Sequence, residues 1–173
     1  MGIMGAGITQ VTATGGFKVV AIEADDKAAA RGLDSIRSSL SLIAARRVKK
    51  EGVAEDKAKA EVDRVLANIT TSTSRGALAD VDLIIEAVPE TMAIKTPLYK
   101  DLATIARKDT IIASNTSGLP VGQLASVVGR PTTTVRGLAH RDCARAASFA
   151  LPRVLTSPPP PPSPPRCADW PAL

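Results

Sequence analysis

The chain has 173 residues, which is enough for one domain with or without a tail. Apolar residues make up 45% and charged residues 23%, the proportions of an ordinary globular protein. The net charge of +5 does not indicate nucleic-acid binding, because the basic residues cluster in one stretch (ARRVKKEG) with no interleaved aromatic side chains.

Membrane, secreted and metal-binding classes are also disfavoured. The sequence contains no run of about 18 apolar residues and no start that resembles a signal peptide. We therefore expect no membrane span and a cytoplasmic or organelle-matrix location, mitochondrial or peroxisomal. Cys143 and Cys167 lack the spacing of a zinc or redox motif, so we expect no metal site.

Strand-like and helix-like segments alternate from the start of the chain to about residue 138. The first strand, FKVVAIEA, ends in an acid, and a long helix follows from Asp26 to about Arg47. Its apolar positions recur every three or four residues, at Ala29, Leu33, Ile36, Leu40 and Ile43. The later segments are, in order, a helix (AEDKAKAEVDRVLANI), two strands (ITTST and VDLIIEAV), a helix beginning at Pro89, a strand (DTIIASN), a short helix (GLPVGQLASVV) and a last strand (TTTVRGL). The alternation predicts an α/β fold built on a doubly wound parallel sheet.

The character of the sequence changes at Ala139. The stretch from there to the end holds nine of the thirteen prolines, both cysteines, the only tryptophan and the only histidine. A segment such as PPPPPSPPR favours extended polyproline II over helix or central strand. We predict one domain over residues 1–138 and an unrelated, disordered Pro-rich tail over residues 139–173.

Two glycines open the chain at the spacing of a dinucleotide-binding loop. Gly2 and Gly5 match the second and third glycines of G-x-G-x-x-G, which bring the backbone close to the pyrophosphate and the helix close to the sheet. Glu23 follows Gly5 by 18 residues, where the fold places an acid that binds the adenine ribose and repels a 2′-phosphate. The charge of Glu23 therefore favours NAD over NADP. The other interpretations are a flexible glycine-rich start and a solvated acid at a strand end.

Three longer stretches resemble the NAD-binding domain of the 3-hydroxyacyl-CoA dehydrogenases. They are MGAGITQVTATGGFKVVAIEAD, VDLIIEAVPETMAIK and TIIASNTSGLPVGQLA, and they follow one another in the family's order. The resemblance runs from Gly2 to Leu138, about four-fifths of the chain. It implies a Rossmann-type fold, NAD as cofactor, an acyl-CoA substrate, and hydride transfer at C3 of a 3-hydroxyacyl-CoA, as in fatty acid β-oxidation.

The resemblance implies roles for the matching residues. Those expected to bind the cofactor are Gly2, Ile3, Met4, Gly5, Glu23, Glu90, Lys95 and Ser117. Asn115 and Ser117 lie in the SNTS stretch, and Ser117 would also reach toward the substrate hydroxyl. Two simpler interpretations remain open: Glu90 as an acid favoured by the dipole of a helix start, and Ser117 as an ordinary turn residue.

The long helical pair from Asp26 to Ile69 matches the family's extension over the acyl-CoA site. Ser39 and Arg46 stand at positions that resemble CoA-contacting residues. The basic run that contains Arg46 would attract CoA phosphates, although such a run is more often a solvated helix face.

The catalytic base is where the chain departs from the family. The family has G-L-H-F-F-N-P after its last strand, and this chain has GLAHRDCAR. Ala139 stands at the histidine position, and His140 is one residue late, which turns a side chain in an extended segment to the opposite face. The family's first strand and its second, helical domain, which carries the dimer interface, have no counterpart in the sequence. We therefore expect a fragment of the enzyme with weak or no activity. We also expect a gap between the family's second and fourth strands that exposes unpaired backbone groups and apolar faces.

The alternative is a non-catalytic product whose tail binds a partner. Residues Pro161 to Arg166 form P-x-x-P-x-R, a pattern similar to the ligands of SH3 domains. Such motifs are short and common in proline-rich sequence.

Overall fold

The computed structural model describes residues 2–129 and the backbone of residues 134–135. The helices are α1 (Ile3–Thr14), α2 (Asp26–Glu51), α3 (Glu55–Leu66), α4 (Met92–Ile105) and α5 (Val121–Val128), with a 3₁₀ turn over Arg75–Leu78. The strands are β1 (Val19–Ile22), β2 (Ile69–Ser72), β3 (Leu83–Glu86), β4 (Ile111–Ser114) and β5 (Thr134–Val135). The predicted alternation of strands and helices is therefore confirmed. Ala139, His140, the tail and the SH3-like motif lie outside the described residues.

The strands form two parallel sheets rather than one. β1 pairs with β2 from Val19 opposite Ile69, and β3, β4 and β5 pair in that order. β1 and β3 belong to different sheets, so each leaves one edge without a described strand partner. The break falls where the resemblance places the family's first strand, as we expect from the sequence.

Each sheet has its own apolar core. One core lies under β1 and β2 and is formed by Ala6, Ala13, Ile36, Leu40 and Val65. The other lies under β3 and β4 and is formed by Ile84, Tyr99, Leu102, Ala106, Ile112, Leu124 and Val128. Aliphatic side chains therefore do most of the packing, with Tyr99 as the aromatic member of the second core.

Helix α2 is one turn longer than the sequence pattern predicts. Asp25 caps its start by accepting a hydrogen bond from the Ala28 amide at 2.7 Å, and Gly52 ends it in the left-handed conformation at φ 68°. The predicted buried face holds at Ala29, Ile36 and Leu40. It ends before Ile43, whose side chain is 37% exposed because the helix there extends beyond the core.

Helix α4 begins later than predicted. The sequence predicts Pro89 as its first residue, but the helix starts at Met92 after the N-cap residue Thr91. The Thr91 amide donates to the Pro89 carbonyl at 2.8 Å, so residues 89–91 form a tight turn instead of the first helical turn. This turn leaves the Glu90 side chain at the end of the sheet.

Ion pairs close the amino end of the larger sheet. Arg107 pairs with Asp80, Asp82 and Asp109, which flank the starts of β3 and β4. The three carboxylates are largely exposed, so these ion pairs add little stability. β3 and β4 both start at this end of the sheet and end at the opposite edge. Among the described residues, no helix is long and apolar enough to span a membrane.

Candidate functional site

The carboxyl ends of the strands gather most of the predicted site residues. Glu23 follows β1, Glu90 follows β3, and Asn115 and Ser117 follow β4. α1 is joined to β1 by residues 15–18, and the Asn68 side-chain amide donates to the Ala13 carbonyl at 3.2 Å, so the carboxyl end of α1 lies at the start of β2. Ligands of open parallel α/β sheets bind at the carboxyl ends of the strands.

The first residues of the chain form the amino end of α1. Gly2 is the extended N-cap, and the first helical hydrogen bond runs from the Ala6 amide to the Gly2 carbonyl at 3.0 Å. The amides of Ile3, Met4 and Gly5 therefore precede the helical ladder, and no described side chain caps them. Apart from its chain neighbours, no atom of the described residues lies within 4 Å of a Cβ built on Gly2. Exposed amides at a helix start suit a pyrophosphate.

Glu23 lies directly after β1. Its amide donates to the Ser72 carbonyl at 2.9 Å, which extends the pairing of β1 with β2 by one residue. The residue is half-buried, and this hydrogen bond fixes its backbone at the carboxyl end of β1. This is the position in which an acid can receive ribose hydroxyls.

A buried polar cluster joins the ends of β3 and β4. Glu86 accepts hydrogen bonds from Lys95 Nζ at 3.0 and 2.9 Å, from Ser114 Oγ at 2.7 Å and from the Val88 amide at 2.8 Å. The Tyr99 hydroxyl donates to the same carboxylate at 3.3 Å. Burial raises the pKa of Tyr99 to about 12, and the nearby Glu86 charge acts in the same direction.

Lys95 lies inside this cluster. Its side chain is 1% exposed, and besides Glu86 its ammonium contacts Ser114 Oγ at 3.4 Å and Glu90 Oε2 at 3.3 Å. The resemblance implies a cofactor contact for Lys95, whereas the contacts in the structure are with protein groups. A buried ion pair of this kind needs these hydrogen bonds, because each charge has lost its water.

Glu90 connects the loop after β3 to the loop after β4. Its Oε1 accepts hydrogen bonds from the Thr116 hydroxyl and from the amides of Ser117 and Gly118, the latter two at 3.1 Å. The hydrogen bonds from Thr116 and Gly118, with help from Lys95, lower the pKa of Glu90 to about 2. The Glu90 carboxylate is thus ionised and hydrogen-bonded to the loop after β4. These contacts go beyond what the dipole of a helix start alone would give an acid.

Asn115 and Ser117 lie on the loop that Glu90 contacts. The Asn115 amide donates to the Glu86 carbonyl at 2.8 Å, so the residue continues the pairing of β3 with β4. Ser117 is exposed, while its own amide is held by Glu90. The Ser117 side chain is therefore exposed at the edge of the sheet, and the hydrogen bond to Glu90 holds its backbone.

The predicted CoA-contacting residues lie together on α2 but away from its groove with α3. Ser39 and Arg46 are seven residues apart and share a helix face. The α2–α3 cleft of about 590 Å³ is lined from α2 by a different set, Arg37, Ser41, Ala44, Ala45 and Val48, on the opposite side of the helix. Ser39 and Arg46 therefore do not line this cleft.

Several polar residues of the site escape prediction from the sequence. The buried cluster depends on Glu86, Ser114 and Tyr99, and the contact with Glu90 depends on Thr116. The spacing of the sequence singles out none of these residues. One signal was available: Glu86 is an acid in an otherwise apolar run, LIIEAV. A charge in such a run needs a buried partner.

Comparison with known proteins supports NAD as the cofactor of the family. The family model of the 3-hydroxyacyl-CoA dehydrogenase NAD binding domain matches residues 1–140. A probable 3-hydroxybutyryl-CoA dehydrogenase of Bacillus subtilis is 36% identical over 134 residues, covering 78% of this chain and 44% of that protein. The mitochondrial hydroxyacyl-coenzyme A dehydrogenase of Homo sapiens is 38% identical over 132 residues, covering 75% of this chain and 40% of the relative.

A solved structure agrees with these relatives. The (S)-3-hydroxybutyryl-CoA dehydrogenase of Ralstonia eutropha superposes with a TM-score of 0.69 at 35% identity, covering 78% of this chain and 45% of that one. The chain thus spans less than half the length of the relatives it matches. The family match over residues 1–140, the Rossmann-type architecture and the acid after β1 agree, and the chain belongs to the 3-hydroxyacyl-CoA dehydrogenase family through its NAD-binding domain.

Proposed function

We propose that this chain binds NAD at the carboxyl ends of its strands and contributes to hydride transfer at C3 of a 3-hydroxyacyl-CoA. The proposal is supported by two features of the first unit of the fold, the amino end of α1 without a side-chain cap and the acid Glu23 directly after β1. These two features are what a dinucleotide needs for its ribose and its pyrophosphate. The loops after β3 and β4 supply polar groups at the strand ends of the second sheet.

The residues present fit the cofactor. The amides of Ile3, Met4 and Gly5 would hold the pyrophosphate, and the Glu23 carboxylate would hold the adenine ribose and disfavour a 2′-phosphate. Ser117 would present its hydroxyl to the reacting groups. NAD, when bound, accepts the hydride from the substrate carbon, while the protein binds, orients and moves protons.

The substrate class rests on the relatives, which are named for 3-hydroxybutyryl-CoA and hydroxyacyl-CoA. We propose an acyl-CoA substrate for this chain as well, with Ser39 and Arg46 as candidate CoA contacts on α2. Proton removal from the hydroxyl group needs a base, and the family position of that base is occupied by Ala139. We therefore propose that turnover by this chain is weak, because His140 stands one residue out of register.

Binding of the two nicotinamide cofactors tests the proposal. NADH added to the full chain should give saturable binding, and NADPH should bind less tightly. Replacing Glu23 with Ala should weaken NADH binding and reduce the preference over NADPH, because the ribose loses its acceptor and the repulsive charge disappears. Glu55→Ala, an exposed acid at the start of α3, is the matched control and should bind as the wild type does. Absence of saturable NADH binding would refute the proposed function.

A catalytic assay tests the proposal about turnover separately. Acetoacetyl-CoA and NADH are mixed with the full chain, and NADH oxidation is followed by absorbance. We expect a rate far below that of a relative that carries the G-L-H-F-F-N-P motif. Turnover equal to that of such a relative would show that the displaced histidine does not limit the reaction.

A further inference from the structure

Glu90 makes contacts that the cofactor role does not explain. It lies on the turn after β3, yet its Oε1 receives three hydrogen bonds from residues 26 to 28 positions later, on the loop after β4. The donors are the Thr116 hydroxyl and the amides of Ser117 and Gly118. One carboxylate oxygen therefore holds three consecutive residues of a neighbouring loop.

The other oxygen of Glu90 is held from the core. Lys95 Nζ lies 3.3 Å from Glu90 Oε2, and the same ammonium contacts both oxygens of the buried Glu86. A continuous series of polar contacts thus runs from the interior of the β3–β4 sheet to the surface loop. Because Lys95 and Glu86 are each about 1% exposed, the inner end of this series is fixed by packing.

A hydrogen bond within the loop after β4 adds to the contacts with Glu90. The Leu119 amide donates to Thr116 Oγ1 at 3.1 Å, so the same hydroxyl that donates to Glu90 also accepts from within the loop. The Thr116 side chain is buried, whereas Ser117 and Gly118 are exposed. The backbone on either side of the Ser117 side chain is therefore restrained, while its hydroxyl is accessible.

We propose that Glu90 is a positioning residue that fixes the loop 116–119 and thereby the direction of the Ser117 hydroxyl. The inference rests on the proposed function only for the role of the Ser117 hydroxyl. The hydrogen bonds that restrain the loop are present without a bound cofactor. Charge-assisted hydrogen bonds of this kind are shorter and stronger than neutral ones. Loss of the Glu90 charge or of the Thr116 hydroxyl should release the loop without unfolding the sheet.

Two paired substitutions test the restraint. Glu90→Gln removes the charge, and Glu61→Gln is its control, because Glu61 is equally exposed (43% against 42%) and is also ion-paired, with Arg47. Thr116→Val removes the hydroxyl at constant shape, and Thr116→Ser keeps it. Amide hydrogen exchange of the full chain without cofactor is the measurement.

We expect exchange at Ser117 and Gly118 to accelerate roughly tenfold or more in Glu90→Gln and Thr116→Val. Thr116→Ser and Glu61→Gln should leave these amides at wild-type rates, and amides of α2 and α3 should not change in the Glu90 and Thr116 variants. Unchanged exchange at Ser117 and Gly118 would overturn the proposal. Uniform acceleration across the chain would also overturn it, since that result indicates a general loss of stability.

Cofactor affinity provides the second readout. If the wild type binds NADH, Thr116→Val should weaken that binding, and Thr116→Ser should bind NADH as the wild type does. Faster local exchange with unaltered NADH affinity would contradict the positioning role. If the wild type binds no NADH, the proposed function fails, and the exchange rates alone decide whether Glu90 restrains the loop.

Discussion

At the scale of single residues, the pair of Glu86 and Lys95 dominates the site. Both side chains are buried, and each charge depends on the other and on the Ser114, Tyr99 and Val88 hydrogen bonds. Such a pair adds little net stability compared with apolar residues of the same shape. Removal of one partner is costly because it leaves an uncompensated charge in the interior.

Replacing Lys95 with Met should therefore lower the free energy of unfolding by about 3–5 kcal/mol, measured by urea denaturation. The double variant Glu86→Gln with Lys95→Met should recover most of this loss, since no buried charge remains. Lys59→Met is the matched control: Lys59 is 81% exposed and pairs with Asp63 at the surface, so its loss should cost less than about 1 kcal/mol. Equal costs for Lys95→Met and Lys59→Met would show that the buried pair is unimportant.

Glu90 makes the stability of the fold depend on pH. Its pKa in the folded chain is about 2, below the ordinary value of 4.5, because of the Thr116 and Gly118 hydrogen bonds. The ionised group therefore stabilises the fold above about pH 4.5, and this contribution is lost as the pH falls toward 2. The difference in unfolding free energy between wild type and Glu90→Gln should shrink between pH 6 and pH 2. A difference that stays constant over this range would be inconsistent with the assigned hydrogen bonds.

At the scale of elements, the ends of the helices follow from single residues. Gly52 ends α2 in the left-handed conformation, whereas Gly7 lies inside α1 with open space around the position of a Cβ. The same substitution should therefore have opposite effects at the two glycines. The reason is that only Gly52 needs a conformation that L side chains rarely adopt.

Gly52→Ala should destabilise the chain by about 1–2 kcal/mol. Gly7→Ala should stabilise it by roughly 0.5–1 kcal/mol, because alanine favours the helix. Thermal denaturation of the two variants measures both effects. A loss of stability in Gly7→Ala would show that this part of α1 is not helical in solution.

Sequence patterns predicted the elements better than the contacts among them. The apolar period of α2 and the β-rich runs before Glu23 and around Ile84 were sufficient to place these segments, because burial imposes those periods directly. The start of α4 was wrong because a local hydrogen bond between Thr91 and Pro89 outweighed the preference of proline for a helix start. The restraint by Glu90 could not be predicted, since it joins residues 26 or more positions apart and depends on how β3 and β4 lie side by side.

At the scale of the whole molecule, the two sheets imply two units of stability. Ile36 belongs to the core under β1 and β2, and Ile112 belongs to the core under β3 and β4. The two cores share no buried residue, and β1 and β3 are not paired. Local unfolding should therefore occur separately in the two halves.

The matched variants Ile36→Val and Ile112→Val test this separation, because both isoleucines are fully buried. Each should cost about 0.5–1.5 kcal/mol. Hydrogen exchange should accelerate in α1, α2 and α3 for Ile36→Val, and in α4 and α5 for Ile112→Val. Equal acceleration of all helices in both variants would indicate one cooperative unit instead.

The central claim is that NAD binds at the carboxyl ends of the strands, and amide chemical shifts recorded during an NADH titration test it most directly. We predict saturable shifts at Ile3 to Gly5, at Glu23 and at Asn115 to Gly118, with no shifts at the α2–α3 cleft residues Ala44 and Val48. Saturable shifts confined to the α2–α3 cleft, or no shifts at any NADH concentration, would contradict the claim.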